Sequence, residues 1–246
     1  MLGSMEYATF VGLVQQDGQR LAAAASGSLS AEVPSCPGWT VTDLVTHMAE
    51  VYEHKIACTA LGDFPKPWPP EWPADRDPIE WFEDAHGRLL EMFERSGPTT
   101  PSKTWWPPDQ TVGFWARRMA QETAVHRVDA ELAIGQPRPV NTDLAVDGVD
   151  EVLVLMLAGD WSDDPDDAAT GQRVAISTGG KRWDVVLERE AVGIDDEGGA
   201  ADATLAGDPA DVLLWLWGRA SDDRVLRSGD EDALHLLRSR LVLATQ

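Results

Sequence analysis

Three side chains that bind metal ions occur in this sequence at spacings that helices can bring together. Glu122 and His126 are four residues apart in GFWARRMAQETAVHRVDAELAIG, and His47 lies upstream in WTVTDLVTHMAEVYEH. A spacing of four places a carboxylate and an imidazole on one helical face, one turn apart. With His47 on a second helix, they would form a site of three protein ligands and an open fourth position. Such a site would make this chain an enzyme.

Each of these residues also has an ordinary interpretation. A single histidine on an apolar helix face is more often a hydrogen-bonded core residue, and a Glu–His pair one turn apart can be a surface pair worth about 0.3–0.5 kcal/mol. The neighbours favour an inward-facing site, because Leu44 and Val51 flank the upstream histidine and Trp115 and Met119 precede the glutamate on its face. The residues alone leave the two interpretations evenly balanced.

Two further residues could support a metal site. His54 follows the first histidine by two helical turns, so it is a candidate for a fourth ligand or for a group that orients a ligand. Asp129 lies three residues beyond His126 and could orient its imidazole, since ligating histidines usually donate their second N–H to a carboxylate or carbonyl.

The remaining candidates have weaker support. Cys36 in the loop VPSCPGW could be a nucleophile, but without a paired histidine or basic neighbour it is better interpreted as a small buried hydrophobe. His86 has polar neighbours and is expected to be exposed. His235 in the last predicted helix has no nearby ligand partner.

The first half of the chain contains the elements that would position these side chains. Its apolar periodicity and end signals predict helices at about 7–25, from a capping box at Thr40 and Asp43 through Ile56, at about 79–95 and at about 112–134. Loops of these lengths predict an antiparallel four-helix bundle over residues 5–138, a fold that commonly holds metals between facing helices.

Tryptophans are concentrated in the loops of this half. The proline-rich segment 64–78 carries Trp68 and Trp72, which either pin the loop onto the bundle or form a hydrophobic wall over the site. Trp105 and Trp106 lie in a second loop. Together these indoles indicate a bulky or apolar co-substrate.

The pattern changes after residue 139 and predicts a smaller α+β domain over 139–246. LAVDGVDEVLVLMLAGDW reads as one apolar helix, and the segments RVAISTGG, KRWDVVLERE and ADATLAG read as strands, the first two joined by a turn at Gly179 and Gly180. Asp208 and Pro209 begin another helix, and EDALHLLRSRLVLAT closes the chain. The predicted fold class is therefore α+β.

Charge and composition limit the partners. The net charge of −22 disfavours nucleic acid and anionic membrane surfaces, so a small anionic substrate would need a local positive group, either a metal or an arginine. Cys36 and Cys58 are far apart and form no disulfide framework, and no apolar run is long enough for a membrane span. We therefore expect a cytoplasmic protein, as a monomer or homodimer.

Three motifs resemble one known family in the same order along the chain. SCPGWTVTDLVTHMAE, QETAVHRVDAELAIG and GDPADVLLWLWGRA are similar to motifs of the mycothiol-dependent maleylpyruvate isomerase family. The resemblance implies a DinB-like four-helix bundle that holds a divalent metal, usually zinc, through His47, Glu122 and His126, followed by a smaller α/β domain. It also implies the thiol cofactor mycothiol, which actinobacteria make. The bias to arginine, 16 of 20 basic residues, agrees with a GC-rich source.

The resemblance also assigns a catalytic role in the second domain. An arginine there helps to bind the anionic substrate, and Arg219 in the stretch LWGRA is the candidate. The alternative is an arginine at a helix C-terminus that contacts carbonyl groups.

The implied activity is isomerisation or S-transfer on a small electrophile by a metal-activated mycothiol thiolate. The partners are then a small-molecule electrophile and a low-molecular-weight thiol. Two other functions remain open at this point: a non-catalytic metal-binding or regulatory module, and a zinc hydrolase that uses bound water without a thiol.

Overall fold

The computed structural model describes residues 5–70, 76–195 and 198–245. The described residues form two compact units, one within 5–138 and one within 139–245. Trp72 lies outside the described residues, so its role in the proline-rich loop stays a prediction.

The first unit is a helical bundle, as predicted. Its described residues form four α-helices: α1 Tyr7–Ala25, α2 Val41–Leu61, α3 Pro78–Arg95 and α4 Val112–Ala133. Helix α1 packs mainly against α4, and α2 packs against both α3 and α4. The hydroxyl groups of Tyr52 on α2 and Thr123 on α4 are 2.7 Å apart and fully buried, which ties together the two helices that carry the candidate ligands.

The start of α2 confirms the predicted capping box. The Thr40 side chain accepts from the Asp43 backbone N–H at 3.4 Å, and the Asp43 carboxylate accepts from the Thr40 N–H at 2.8 Å. These bonds satisfy two otherwise unpaired donors of the first turn. The helix therefore begins at a fixed residue, which places His47 in its second turn.

Helix α4 is the central helix of the bundle and is buried on almost every side. It carries charged residues into the interior, among them Arg118, Arg127, Asp129 and Glu131, each less than 9% exposed. Buried charges need charged or hydrogen-bonding partners, and the neighbouring helices supply them.

His86 is buried, so the expectation that it is exposed was wrong. Its side chain on α3 lies against α1, where its Nε2 is 3.0 Å from the Val14 carbonyl oxygen. A Cβ on Gly18 would lie only 2.3 Å from that nitrogen. The absence of a side chain at Gly18 therefore provides the space that the imidazole occupies, a relation between helices that the polar sequence neighbours of His86 do not reveal.

The second unit combines helices with a mixed sheet. Helix α5 (Thr142–Glu151) continues into a π-helical segment (Val152–Leu157), and α6 (Pro209–Leu216) and α7 (Glu231–Ala244) follow later in the chain. The described strands are β1 Gly159–Asp160, β2 Thr170–Thr178, β3 Lys181–Glu188, β4 Ala191–Asp195, β5 Ala203–Ala206 and β6 Leu226–Gly229. Their order is β1-β4-β3-β2-β5-β6, with β2 and β5 parallel and the other neighbours antiparallel.

Several predicted features of this unit are confirmed. Gly179 and Gly180, with φ of 56° and 76°, form the turn between β2 and β3. The Asp208 carboxylate accepts from the Ala210 N–H at 3.0 Å and caps α6, with Pro209 at its first position.

Other features differ from the prediction. The apolar helix ends at Leu157, because Gly159 takes a φ of 144° and then pairs with β4 as the short strand β1. Strands β1, β4 and β6 were not predicted, since each is five residues or shorter and lacks a clear alternation. Among the described residues, no helix is long and apolar enough to cross a membrane.

Candidate metal centre

The structure brings the three predicted ligands together between α2 and α4. Glu122 Oε1 lies 3.4 Å from His47 Nε2 and 3.5 Å from His126 Nε2. One donor atom from each residue lies within 4.8 Å of the others. Two donors that bind a tetrahedral zinc ion at about 2.0–2.1 Å are about 3.4 Å apart. The carboxylate–imidazole spacings therefore fit one small divalent ion.

The cluster is reachable from solvent. The side chains of His47, Glu122 and His126 are 34%, 16% and 11% exposed, so the cluster opens on the side of His47. A small molecule can therefore approach the donor atoms, as an enzyme site requires and a closed structural metal site does not.

Asp129 orients His126, as the spacing of three residues predicted. Its Oδ2 lies 2.9 Å from His126 Nδ1, and its side chain is fully buried. The Ser35 hydroxyl donates to the other carboxylate oxygen, and the Cys36 thiol donates to Oδ2 at 3.7 Å. With Nδ1 engaged by Asp129, the imidazole presents Nε2 to Glu122.

Cys36 does not behave as the buried hydrophobe that was expected. Its side chain is partly exposed, and its sulfur, a His126 ring nitrogen and an Asp129 oxygen lie within 4.8 Å of one another. The expectation assumed that no histidine was nearby, because the VPSCPGW loop and α4 are distant in sequence. The fold brings the loop onto α4.

Arg118 was not identified from the sequence, although it precedes Glu122 by one helical turn. Its side chain is 8% exposed, and its Nη2 donates to Glu122 Oε2. The two carboxylate oxygens therefore have separate environments: Oε2 faces the guanidinium and Oε1 faces both imidazoles. This arrangement favours a single-oxygen ligand.

The charges of the cluster shift two pKa values in opposite directions. Burial raises the pKa of Glu122, but the Arg118 guanidinium and the two imidazoles outweigh it and hold the pKa well below its ordinary value. Burial lowers the pKa of His126, but its contacts with Asp129 and Glu122 outweigh this and raise the pKa to about 9. Because a ligating nitrogen must be unprotonated, metal binding at His126 displaces a proton.

Trp39 covers one side of the cluster. The centre of its indole lies 5.1 Å from the ring centre of His47 and 6.4 Å from that of His126, nearly parallel to the latter. The positive φ of 84° at Gly38 permits the turn, and the Trp39 carbonyl accepts from the Val33 N–H at 2.9 Å. The Pro-Gly-Trp motif thus places an aromatic wall beside the imidazoles.

His54 does not join the donor cluster of the described residues. Its ring centre is 4.9 Å from that of Trp68, and its Nδ1 is 3.2 Å from Lys55 Nζ. The contact with Trp68 agrees with the interpretation that this tryptophan pins its loop onto the bundle. Burial and the neighbouring Lys55 charge lower the pKa of His54 to about 4, so the imidazole is neutral near pH 7.

Lys55 on α2 places a cation beside α4, and no sequence motif pointed to this residue. Its Nζ lies 4.8 Å from the ring centre of Trp115 on α4. Burial lowers the pKa of Lys55 to about 8, an effect that the charge of Glu122 opposes and that of Arg118 reinforces.

Arg219 lies in the second unit, just after α6. Its Nη1 donates to the Trp217 carbonyl at 2.7 Å, and its guanidinium lies 5.8 Å from the Trp217 ring centre. The carbonyl contact is the one expected of an arginine at a helix C-terminus. His235 is exposed on α7.

Comparisons with known proteins assign both halves of the chain to one family. Residues 13–131 match the mycothiol maleylpyruvate isomerase N-terminal domain, and residues 143–236 match the C-terminal domain of the same family. No curated protein sequence matches the chain significantly.

Solved structures share the fold, among them two of one enzyme. The crystal structure of the mycothiol-dependent maleylpyruvate isomerase matches with a TM-score of 0.62 and 15% identity over 92% of this chain and 95% of that chain. A histidine-to-alanine mutant of that enzyme matches with a TM-score of 0.61 and 13% identity over the same shares.

Proposed function

The chain belongs to the mycothiol-dependent maleylpyruvate isomerase family, and we propose that it is a metal-dependent enzyme that uses the mycothiol thiolate either to isomerise a small electrophile or to form a thioether with it (S-transfer). The observation that carries this proposal is the convergence of His47, Glu122 and His126 on one point between α2 and α4.

The donor set supports zinc as the metal. Two imidazole nitrogens and one carboxylate oxygen suit this ion, and the spacings of 3.4 and 3.5 Å suit its size. When bound, the ion supplies a Lewis acid that favours the deprotonated form of a thiol at neutral pH.

The chain's own residues prepare the donors. Asp129 accepts the Nδ1 proton of His126 and so fixes the tautomer whose Nε2 is available. Arg118 holds Glu122 Oε2 and leaves Oε1 for the ligand role. Trp39 excludes water from one side of the imidazoles and leaves the side at His47 accessible.

The reaction class follows from thiol chemistry. A thiolate adds to an activated carbon–carbon double bond, the resulting single bond rotates, and elimination restores the double bond and releases the thiolate. The protein must hold the electrophile while that bond rotates, and we propose that Arg219 binds a carboxylate of the substrate for this purpose. S-transfer is the same addition followed, instead of elimination, by protonation of the neighbouring carbon from solvent.

An assay of thiol dependence tests the activity. The purified protein with zinc should isomerise maleylpyruvate only when mycothiol is present. Omitting mycothiol, or replacing it with glutathione, provides the control. Turnover of an ester or amide without any thiol would instead identify a hydrolase. Metal binding with no thiol-dependent reaction would identify a non-catalytic module.

A further inference from the structure

One lysine of this acidic chain lies beside the donor cluster. The chain has four lysines and a net charge of −22. Lys55 follows His47 by eight residues on α2, about 12 Å along the helix axis. Opposite it on α4 is Trp115, which precedes Glu122 by seven residues. The two helices thus present the donor cluster at one end of a shared face and Lys55 at the other.

The direct contacts of Lys55 are with an imidazole and an indole, and the negative charge of Glu122 acts on it from a longer distance. Its nitrogen lies 3.2 Å from His54 Nδ1, and that imidazole is neutral near pH 7. Beyond this bond the ammonium faces the Trp115 ring. On α2, His47 contacts Glu122 and Glu53 contacts Arg88, and Lys55 takes part in neither contact.

A partly buried ammonium that has no carboxylate in direct contact is costly to maintain in a folded protein. A chain with 42 acidic residues could readily provide one. Lys55 is therefore able to bind an anion from solution. The Trp115 ring and the neutral His54 imidazole hold the ammonium in place but carry no negative charge that would neutralise it. In a protein whose overall field repels anions, such a local charge also determines where an anion can bind.

We propose that Lys55 is an anion-binding residue of the α2–α4 site and that it binds a carboxylate of the electrophile, while the reacting carbon lies toward His47, Glu122 and His126. This inference rests on the proposed function for the identity of the reacting end. The ligand class is a small unsaturated carboxylate several carbons long.

Binding of maleate tests this assignment, because maleate has the charge and the double bond but gives no reaction without a thiol. Isothermal titration of the zinc-loaded full chain should show saturable binding. Lys55→Met should weaken it at least about tenfold, and Lys55→Arg, which retains the charge, should stay within about threefold of wild type. The neutral diamide maleamide should bind Lys55→Met and wild type equally.

Lys181 provides a matched control. It also lies over an indole, 6.0 Å from the Trp183 ring centre, but on the exposed start of β3. Lys181→Met should leave maleate affinity unchanged. Thermal unfolding of each variant establishes that it is folded at the titration temperature.

Three results would overturn the assignment: wild-type affinity in Lys55→Met, equal loss of maleate and maleamide binding, or no saturable maleate binding by the wild-type protein. These outcomes are independent of the proposed function, which metal content and thiol-dependent turnover test separately. A protein that binds maleate through Lys55 but never uses mycothiol would contradict only the proposed function.

Discussion

Helix α4 carries buried charges on two sides, and the two sides differ in how those charges are satisfied. Toward α1, Arg127 lies 3.2 Å from Asp17 and 2.8 Å from Glu131, and Arg20 lies 3.0 Å from Glu131. Each of these three contacts joins a cation to a carboxylate.

Toward α2, the arrangement is different. Glu122 Oε1 and two imidazole nitrogens face a common point, where His126 carries a proton that a metal ion would displace. The comparison teaches that buried charge alone does not identify a functional site. A network whose opposite charges neutralise each other stabilises the bundle. Donor atoms that converge on one point, and that all offer lone pairs there once His126 loses its proton, are arranged for a ligand that the protein does not supply.

The largest effect is expected from breaking the network toward α1. Arg127→Met removes a fully buried guanidinium and leaves Asp17 and Glu131 without it. We expect the free energy of unfolding to fall by about 3–5 kcal/mol. Denaturant titration measures this loss, and zinc content at a temperature where the variant is folded should remain that of wild type. If Arg127→Met instead lost zinc and kept its stability, the side toward α1 would serve metal binding rather than stability, and the comparison would be wrong.

A smaller stability effect is expected where α1 meets α3. Gly18→Ala places a methyl group 2.3 Å from His86 Nε2, which should cost about 1–3 kcal/mol through displacement of the imidazole. Gly12→Ala on the same helix is the matched control, because its Cβ would meet nothing within 4 Å. The control should stabilise the helix by about 0.5–1 kcal/mol. Equal effects in the two variants would show that the space at Gly18 is not needed.

On the α2 side, Asp129→Asn should act on metal affinity. The amide can no longer hold the Nδ1 proton of His126 as a carboxylate does, so we expect zinc affinity to fall about 10–100-fold. Competition with a chromophoric chelator measures this change. If Asp129→Glu restores zinc affinity, the effect comes from the carboxylate that orients His126 and not from the packing of the side chain. Wild-type zinc affinity in Asp129→Asn would show that the contact does not orient the ligand.

The pH dependence of zinc binding should follow His126. Its pKa is raised to about 9, so the proton is bound below that pH and must leave when the ion binds. Zinc affinity should therefore rise with pH, by up to about tenfold per unit, and level off above about pH 9. In the metal-free protein, with a chelator present, the raised pKa has the opposite effect on stability. The contribution of His126 to the free energy of unfolding is fully present below its unfolded pKa of 6.5 and is lost as pH rises through 9. An affinity independent of pH between 6.5 and 9 would contradict this shift.

The features of the site that could be predicted from the sequence depend on residues close together in one helix. The capping box at Thr40 and Asp43 and the spacing of Glu122, His126 and Asp129 each depend on a single turn, so helix geometry fixes them. The four helices follow from the same periodicity.

The parts that sequence reasoning missed are contacts between distant segments. Cys36 reaches Asp129 across 93 residues, and His86 fills the space beside Gly18 on another helix. Lys55 lies over the ring of Trp115 on α4, a contact that its sequence neighbours do not reveal. Packing between elements determines these relations, and no spacing rule within one element contains them.

Zinc stoichiometry in histidine variants tests the central claim most directly. Elemental analysis of the purified, zinc-reconstituted protein should give one ion per wild-type chain. His47→Ala and His126→Ala should each lose the ion while circular dichroism shows retained helix, and His235→Ala, which removes an exposed histidine on α7, should keep it. Full zinc occupancy in either of the first two variants would contradict the assignment of His47, Glu122 and His126 as the metal ligands.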